Sequence, residues 1–194
     1  MSDRLRELTR TKTDNRAIEL IILQIMRKVE VVPHNPKWHE AYQSESQRII
    51  KALDDNVVAV HHIGSTAIAG IYAKPIIDIL VEVKDLSKLD GHSSTQSLGY
   101  EAMGEFGICD RRYFIKYDSD GERTHHIHIF KAGSPQVERH LAFRDYMISH
   151  PESAREYSSL KQKLAAKYPQ DIDKYMDGKD EFIKLMDRKA AQWR

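Results

Sequence analysis

A single charged residue lies inside a continuous apolar run, Asp78 within the segment from Ile76 to Val81. Such a run, bounded by turn residues, is typical of a buried β-strand. A carboxylate inside it must be desolvated unless it has a partner or faces a cleft, because burying an unpaired charge costs several kcal/mol. The sequence therefore predicts a strand whose centre either borders a cleft or carries a satisfied structural cap or ion pair.

Composition and charge fit one domain with one main core. The chain has 194 residues, 41% of them hydrophobic, which suffices for one sizeable core and a small helical appendage. The 30 basic and 29 acidic residues leave a net charge of +1, so no overall field attracts nucleic acid or a membrane. With Cys109 as the single cysteine and no apolar stretch of roughly 18 residues, we expect a cytoplasmic protein without a membrane or nucleic-acid partner.

The first half of the chain predicts helices followed by strands. Apolar residues at helical spacing predict an amphipathic helix over 14–30. Asn35 and Pro36 supply a cap and a first-turn proline for a second helix that ends near Leu53. Two β-rich runs then flank a Gly-Ser segment, at about 57–63 and 75–83, and a polar, helical stretch is expected over 85–98.

The second half predicts three strands and then helices only. The strands are expected at 100–103, 112–117 and 124–130, and an Asp-Ser-Asp-Gly turn joins the last two into a hairpin. The helices are expected from 135 to about 149, from 151 to about 168, and from just after Gly178 to near Trp193. This order divides the chain into an N-terminal helical extension (1–30), an α/β core (31–133) and a helical C-terminal subdomain (134–194).

The Gly-Ser segment has the features of a phosphate-binding turn. Gly64 follows one strand and allows close backbone approach, while Ser65, Thr66 and nearby N–H groups can donate to phosphate oxygens. Asp78 on the next strand can hold a divalent metal that bridges phosphates. In the alternative interpretation Gly64, Ser65 and Thr66 form an ordinary turn and Asp78 is a structural ion pair.

Two histidines could complete a metal site. In the strand over 124–130, Ile127 and Ile129 face the core, so His126 and His128 face the other side, roughly 6.6 Å apart along the strand. Imidazoles at that spacing can converge on one ion together with Asp78. The predicted ion is Mg²⁺ or Mn²⁺, with Zn²⁺ as an alternative. Polar packing, or direct donation to phosphate, is the competing role for both histidines.

A group of basic residues could surround an anion. Arg112 and Lys116 share one strand face because they are four residues apart, Lys74 opens the aspartate strand and Arg123 opens the histidine strand. Arginine forks suit phosphate oxygens. Together with the neighbouring Arg111 these residues are predicted to rim a phosphate site, although any one of them could be an ordinary solvated charge.

Several separate segments resemble the GrpB family, within the DNA polymerase β-like nucleotidyltransferase superfamily. The segments, in chain order, are EVVPHNPKW, HIGSTAIAG, AKPIIDILV, RTHHIHIF, HLAFRDYMISHP and YMDGKDEFI, and the resemblance covers about residues 30–190. It implies an α/β (α+β) nucleotidyltransferase-like fold, a mixed sheet flanked by helices with a helical C-terminal subdomain. Some members of this family are joined to dephospho-coenzyme A kinase, which indicates nucleotide or coenzyme A metabolism.

The resemblance also raises a difficulty at position 80. Active nucleotidyltransferases place their second metal-binding carboxylate where this chain has Leu80. Glu82 cannot replace it, since residues 78 and 82 of a strand lie about 13 Å apart.

Three functions remain open at this point. The first is a metal-dependent transferase of nucleotidyl groups, with Asp78 and Ser65 as catalytic residues. The second is a non-catalytic module for a nucleotide or another phosphate-containing small molecule, such as a coenzyme A precursor. The third is a metal-dependent phosphoesterase built on Asp78 and the two histidines.

Overall fold

The structure, a computed structural model, describes residues 28–90 and 94–194. Most of the helix predicted over 14–30 lies outside the described residues. Residues 28–30 themselves are not helical, and the Val29 amide donates to the Pro169 carbonyl over 2.8 Å. This contact ties the start of the described chain to its helical tail.

Five strands of the described residues form one mixed sheet, as the sequence predicts. They are β1 (Val57–Ile63), β2 (Ile77–Val83), β3 (Tyr100–Ala102), β4 (Arg112–Tyr117) and β5 (Arg123–Lys131), in the spatial order β1-β2-β5-β4-β3. The central pair β2 and β5 is parallel, while the other neighbours are antiparallel. The parallel pairing sets Asp78 beside His126 and Leu80 beside His128. The mixed α+β class is therefore confirmed.

In the part of the chain that the structure describes, five α-helices accompany the sheet. They are α1 (Lys37–Leu53), α2 (Ser94–Ser97), α3 (Pro135–Ser149), α4 (Pro151–Lys167) and α5 (Ile172–Trp193), with short 3₁₀ turns at Asp54–Asn56, Ser65–Ala67 and Ser87–Leu89. The Ser134 hydroxyl caps α3 by accepting from the Gln136 amide, as the Ser-Pro start predicts. Within residues 28–90 and 94–194, none of the helices combines the length and apolar character that a membrane span requires.

Helices cover both faces of the sheet. On one face, α1 packs Trp38 and Ile49 against a cluster that includes Ile79 and Ile127. On the other face, Val137 of α3 packs against Leu80, Phe130 and Ile63. Side chains alternate along β2, so the odd-numbered residues face α1, while Asp78, Leu80 and Glu82 face the C-terminal helices.

The C-terminal helices also hold the loop that follows the Gly-Ser turn. Ile68 and Ile71 pack in one cluster with Met147 of α3 and Met186 of α5. The Tyr72 amide donates to the Ser158 hydroxyl of α4 over 2.8 Å. This packing brings α4 and α5 over the edge of the sheet where β2 begins.

The start of α5 differs from the sequence prediction. Gly178 was expected to precede the last helix, but α5 begins at Ile172 and contains Gly178. A Cβ atom at position 178 would lie 2.5 Å from Cδ2 of Leu164 on α4. The absence of a side chain at Gly178 therefore allows α4 and α5 to approach closely. The glycine lies inside α5 and does not mark a helix boundary.

Candidate functional site

The Gly-Ser turn lies directly over the carboxylate of Asp78. Ile63 ends β1 opposite Asp78, and Gly64 then adopts φ +69° and ψ −169°, a conformation that strongly favours glycine. A Cβ atom on residue 64 would lie 2.4 Å from Oδ2 of Asp78. The glycine thus allows the backbone to approach the Asp78 carboxylate near the start of β2.

Asp78 is held by the histidine of the neighbouring strand. Its Oδ1 accepts a hydrogen bond from Nδ1 of His126 over 3.1 Å, and Nε2 of His128 lies 3.8 Å away. Burial raises the pKa of Asp78, but the interactions with His126 and His128 outweigh it and hold the pKa well below its usual value. The carboxylate is therefore ionised in the folded protein.

The hydrogen bond to Asp78 also determines the state of the His126 ring. Because an ionised carboxylate can only accept, Nδ1 of His126 carries the proton. In the neutral ring Nε2 then has the free electron pair, and this atom is buried with no hydrogen-bond partner among the described residues. A buried imidazole nitrogen of this kind can take a proton or a metal ion.

His128 is fixed by Arg111, which is 6% exposed. Arg111 Nη1 lies 3.3 Å from Nδ1 of His128, and its other guanidinium nitrogens donate to the backbone carbonyls of Glu105 and Phe106. Burial lowers the pKa of His128. Its ring is therefore neutral near pH 7, and Nε2 directs its proton toward Asp78.

Two buried lysines of the helical tail face the same cleft. Lys161 of α4 is 2% exposed and Lys179 of α5 is 7% exposed. Each ammonium lies over the ring of a tyrosine one turn earlier, Tyr157 and Tyr175, at 4.5 Å from the ring centre. The Lys161 ammonium has no hydrogen-bond partner among residues 28–90 and 94–194.

Burial has a strong effect on these lysines. It lowers the pKa of Lys161 to about 7, with the nearby Lys179 adding to the effect, and it lowers the pKa of Lys179 to about 8. Sequence reasoning missed both residues. The signal that could have found them is the repeated Tyr-x-x-x-Lys spacing, which places a tyrosine and a lysine on one face of each helix.

These groups enclose a cavity of about 360 Å³. Its lining includes Gly64, Ser65, Thr66, Lys74, Asp78, Phe106, Arg111, Tyr113, His126, His128, Tyr157, Lys161, Tyr175, Met176 and Lys179. The sheet forms the floor, the Gly-Ser turn and the helices α4 and α5 form one side, and the loop between β3 and β4 forms the other. The structure thus brings together the turn, Asp78, both histidines and Lys74, as the strand spacing predicts.

The remaining predicted basic residues do not line this cavity. Arg112 and Lys116 share a strand face, but that face is directed toward α1, on the opposite side of the sheet from Asp78. Arg112 pairs with Asp90 over 2.6 Å, and Lys116 pairs with Glu45 of α1 over 2.8 Å. The prediction that these two side chains rim the Asp78 site is therefore wrong, because alternation identifies a shared face without showing which face borders the cleft.

Arg123 is also absent from the lining of the cavity. It lies at the hairpin end of β5, with its guanidinium 5.8 Å from the ring centre of Tyr117. The predicted shared anion site therefore retains Lys74 and Arg111 from the original group, and gains Lys161 and Lys179.

Core packing occupies position 80, where the resemblance to nucleotidyltransferases led us to look for a second carboxylate. Leu80 is fully buried in the cluster with Ile63, Phe130 and Val137. Glu82, further along the same face, pairs with His61 over 2.9 Å. Neither residue contributes a carboxylate to the cavity, so β2 supplies Asp78 as its single acidic group there.

Asp78 and His126 are the candidate ligands for a cation in this cavity. Oδ1 of Asp78 and Nδ1 of His126 lie 3.1 Å apart, so both could bind one ion if Nδ1 released the proton that it donates to Asp78. In the described residues, however, the only three-residue set with all ligand atoms within 4.8 Å of one another is the exposed Glu105, Cys109 and Asp110. A complete three-ligand cage at Asp78 would thus require side-chain movement. Phosphate oxygens and water complete the coordination of Mg²⁺ in many phosphate sites.

Comparisons with known proteins agree on one family. The sequence model of the GrpB protein family matches residues 28–189. The UPF0157 protein YqkA of Bacillus subtilis is 44% identical over 87% of this chain, and the chain spans about half of that protein (49%). The Glutamate-rich protein GrpB of Alkalihalophilus pseudofirmus is 34% identical over 80% of this chain and 92% of its own length.

A solved structure supports the fold. The conserved protein GrpB from Enterococcus faecalis is 41% identical, with a TM-score of 0.79 over 85% of this chain and 100% of that chain. A protein of Mycolicibacterium paratuberculosis named dephospho-CoA kinase matches at 25% identity, over 85% of this chain and 46% of its own length. The family match covers most of the chain and agrees with the shared fold. The chain therefore belongs to the GrpB family.

Proposed function

We propose that this protein binds a phosphate ester, with a nucleotide as the favoured class, in the cavity over Asp78. The observation that carries the proposal is the buried ammonium of Lys161, which has no hydrogen-bond partner among the described residues. Leaving a cation in that state is costly unless a ligand compensates it. An anionic ligand in the cavity would supply the missing partner.

The charge and shape of the cavity support a phosphate in particular. The cavity lining contains one acidic residue, Asp78, and four basic residues. The basic residues are Lys74, Arg111, Lys161 and Lys179. The Gly-Ser turn, on the same side of the cavity as α4 and α5, adds the Ser65 hydroxyl and a closely approaching backbone. Tetrahedral phosphate oxygens can accept from several such donors at once.

One divalent cation fits beside the phosphate. Asp78 would ligate it directly, with Nδ1 of His126 as a further ligand once it releases the proton that it donates to Asp78 in the ligand-free protein. A single ion is the number that fits, because Leu80 is buried in apolar packing where a second carboxylate would be required. Lys161 and Lys179 would provide positive charge that a second cation provides in two-metal sites.

Nucleotidyl transfer is the second candidate, and it rests on the pairing of Asp78 with His126. A histidine oriented by a carboxylate through Nδ1 can act as a general base through Nε2. This arrangement, together with the Gly-Ser turn, supports the nucleotidyltransferase-like character that the sequence motifs suggest. The relatives named dephospho-CoA kinase support an adenine nucleotide, such as a coenzyme A precursor, as the ligand class.

The experiment is a titration of adenosine 5′-monophosphate into the protein at pH 7, with and without Mn²⁺, followed by calorimetry. We expect binding that Mn²⁺ strengthens and that Lys161→Met weakens by about 10-fold or more, the effect of losing a charged hydrogen bond. Lys163→Met, which changes an exposed lysine on the same helix, is the matched control and should bind normally. Equal affinity of the two variants, or no binding to the wild type, would contradict the proposal.

A further inference from the structure

Two exposed apolar side chains lie at the mouth of the Asp78 cavity. Phe106 is 60% exposed and Met176 is 49% exposed, and both belong to the cavity lining. They are two of the seven exposed large hydrophobic side chains among the described residues. Exposed apolar side chains are common when scattered, but a pair at the rim of a polar cleft indicates a ligand with an apolar part.

The backbone around Phe106 is held in an unusual conformation. Phe106 has φ +45°, and Gly104 and Gly107 on either side also have positive φ. A phenylalanine in this region costs free energy that a glycine would not. Since its ring is also exposed, neither local conformation nor burial in the fold accounts for a phenylalanine at this position.

The loop that carries Phe106 is connected to the floor of the cavity. Arg111 donates to the Phe106 carbonyl over 2.7 Å and contacts His128 with the same guanidinium group. The Phe106 ring lies 5.3 Å from Tyr113, whose ring in turn lies 5.0 Å from that of His128. Contacts through Arg111 and Tyr113 thus connect Phe106 at the rim with His128 on the floor of the cavity.

The opposite rim belongs to α5. Met176 is followed three residues later by Lys179, so one turn of the helix presents an apolar group outside and an ammonium inside the cavity. Tyr175, adjacent to Met176, is 1% exposed and lies under Lys179. The cleft therefore changes from apolar at its mouth to cationic at its base.

We propose that Phe106 and Met176 form a nucleobase subsite, so that the ligand is a nucleoside phosphate and not a simple sugar phosphate. The base stacks on the Phe106 ring with Met176 on the other side, while the phosphate reaches Lys161 and Lys179. Every base has a planar face that can stack on an aromatic ring, so this subsite selects for a base without selecting strongly among bases. The inference rests on the proposed phosphate site and adds the part of the ligand that the phosphate site cannot distinguish.

The test compares two ligands that differ only in the base, adenosine 5′-monophosphate and ribose 5-phosphate, by calorimetry at pH 7 with Mn²⁺. We expect the nucleotide to bind about 5- to 150-fold more tightly, the range for stacking one base on an aromatic side chain. Phe106→Ala should remove most of this difference and leave the affinity for ribose 5-phosphate unchanged. Phe106→Trp should retain it.

Matched variants separate stacking from other effects. Ile148→Ala removes an exposed apolar side chain from α3, outside the cavity lining, and should leave both affinities unchanged. Phe106→Gly relieves the positive φ, so this variant should keep or raise the melting temperature while it still loses the preference for the nucleotide. A lost preference in a well-folded Phe106→Gly protein is therefore assigned to the ring.

The outcomes distinguish this inference from the function on which it rests. If ribose 5-phosphate binds and Lys161→Met weakens it, but the nucleotide binds no more tightly, the phosphate site stands and the base subsite is wrong. If Phe106→Ala weakens both ligands equally, Phe106 supports the loop and does not contact a base. If hexyl phosphate binds as tightly as the nucleotide, the rim accepts any apolar group, which also overturns the proposal. Failure of all three ligands to bind would overturn both proposals.

Discussion

The backbone at Gly64 approaches the Asp78 carboxylate so closely that a Cβ atom on residue 64 would lie 2.4 Å from Oδ2. This contact is what makes the Gly-Ser turn and the charged strand one site. A carboxylate is accommodated in this apolar strand because His126 donates to Asp78 and because Asp78 lines the cavity beside the turn.

Replacing this glycine should damage the site more than an ordinary glycine substitution does. Gly64→Ala combines an unfavourable positive φ with a clash against Asp78, so we expect a loss of about 2–4 kcal/mol in the free energy of unfolding. Phosphate binding should fall at least about 10-fold. Urea denaturation and calorimetry measure the two effects.

Gly70 offers a matched control for that experiment. It has φ +77°, but a Cβ atom there would meet no heavy atom within 4 Å. Gly70→Ala should therefore lose only the conformational part, about 1–2 kcal/mol, and bind phosphate normally. Equal losses in the two variants would show that the contact with Asp78 has no special effect.

Asp78→Asn should abolish the enhancement of ligand binding by divalent cations. The amide oxygen can still accept from His126, so we expect the free energy of unfolding to change by about 1 kcal/mol or less. In the wild type, Mn²⁺ should bind more tightly than Mg²⁺, because an imidazole ligand favours the transition metal. Calorimetric titrations of each metal in the presence of adenosine 5′-monophosphate provide the measurement.

Glu82→Gln is the control for Asp78→Asn. Glu82 is the other carboxylate on the same strand face, but it pairs with His61 and lies outside the cavity lining. Its replacement should leave the metal effect intact. If instead Asp78→Asn destabilises the protein, and its folded fraction still binds Mn²⁺ and nucleotide, the role of Asp78 is to form a structural ion pair.

The ligand-free protein should become more stable as the pH rises above neutrality. Burial lowers the pKa of Lys161 to about 7, whereas an unfolded lysine has a pKa of about 10.4. Between about pH 7 and pH 10 the unfolded chain therefore binds more protons, which makes the free energy of unfolding increase with pH. Urea denaturation at several pH values tests this expectation.

Lys161→Met should reduce that pH dependence and stabilise the ligand-free protein at pH 7 by about 2–4 kcal/mol, since it removes a desolvated charge. In this variant Lys179, whose pKa is lowered to about 8, should still make the free energy of unfolding increase with pH over the same range, but less steeply. Lys163→Met should leave the pH profile unchanged. A destabilised Lys161→Met protein would indicate that the ammonium is compensated in the ligand-free state.

Leu80→Asp should destabilise the protein without creating a second metal ligand. Leu80 is fully buried among apolar neighbours, Phe130 and Val137, and does not line the cavity. A carboxylate there would be buried without a partner, so we expect a loss of about 3–5 kcal/mol or more. Leu80→Met, which conserves volume, should cost less than about 1.5 kcal/mol. A stable Leu80→Asp protein with tighter Mn²⁺ binding would support a degenerate two-metal site.

Local patterns in the sequence were sufficient for most of the secondary structure. The alternation in β5 separates His126 and His128 from Ile127 and Ile129, and the structure shows that separation across the two faces of the sheet. The charge of Asp78 within an apolar run predicted either a partner or an opening to a cleft, and the structure shows both, a hydrogen bond from His126 and a place in the cavity lining. These inferences depend only on periodicity and on the cost of desolvation, which act over a few residues.

Tertiary structure decided which charges meet in that cleft. Alternation placed Arg112 and Lys116 on one face, but the order of the strands directs that face toward α1. Lys161 and Lys179 are remote from Asp78 in sequence, and they reach it because the close approach of α4 and α5 at Gly178 carries both helices over the sheet edge. The sequence by itself determined the turn, the carboxylate and the histidine pair, which are local to adjacent strands. The positions of the buried ammonium groups depend on long-range packing, which the local periodicity of the sequence does not encode.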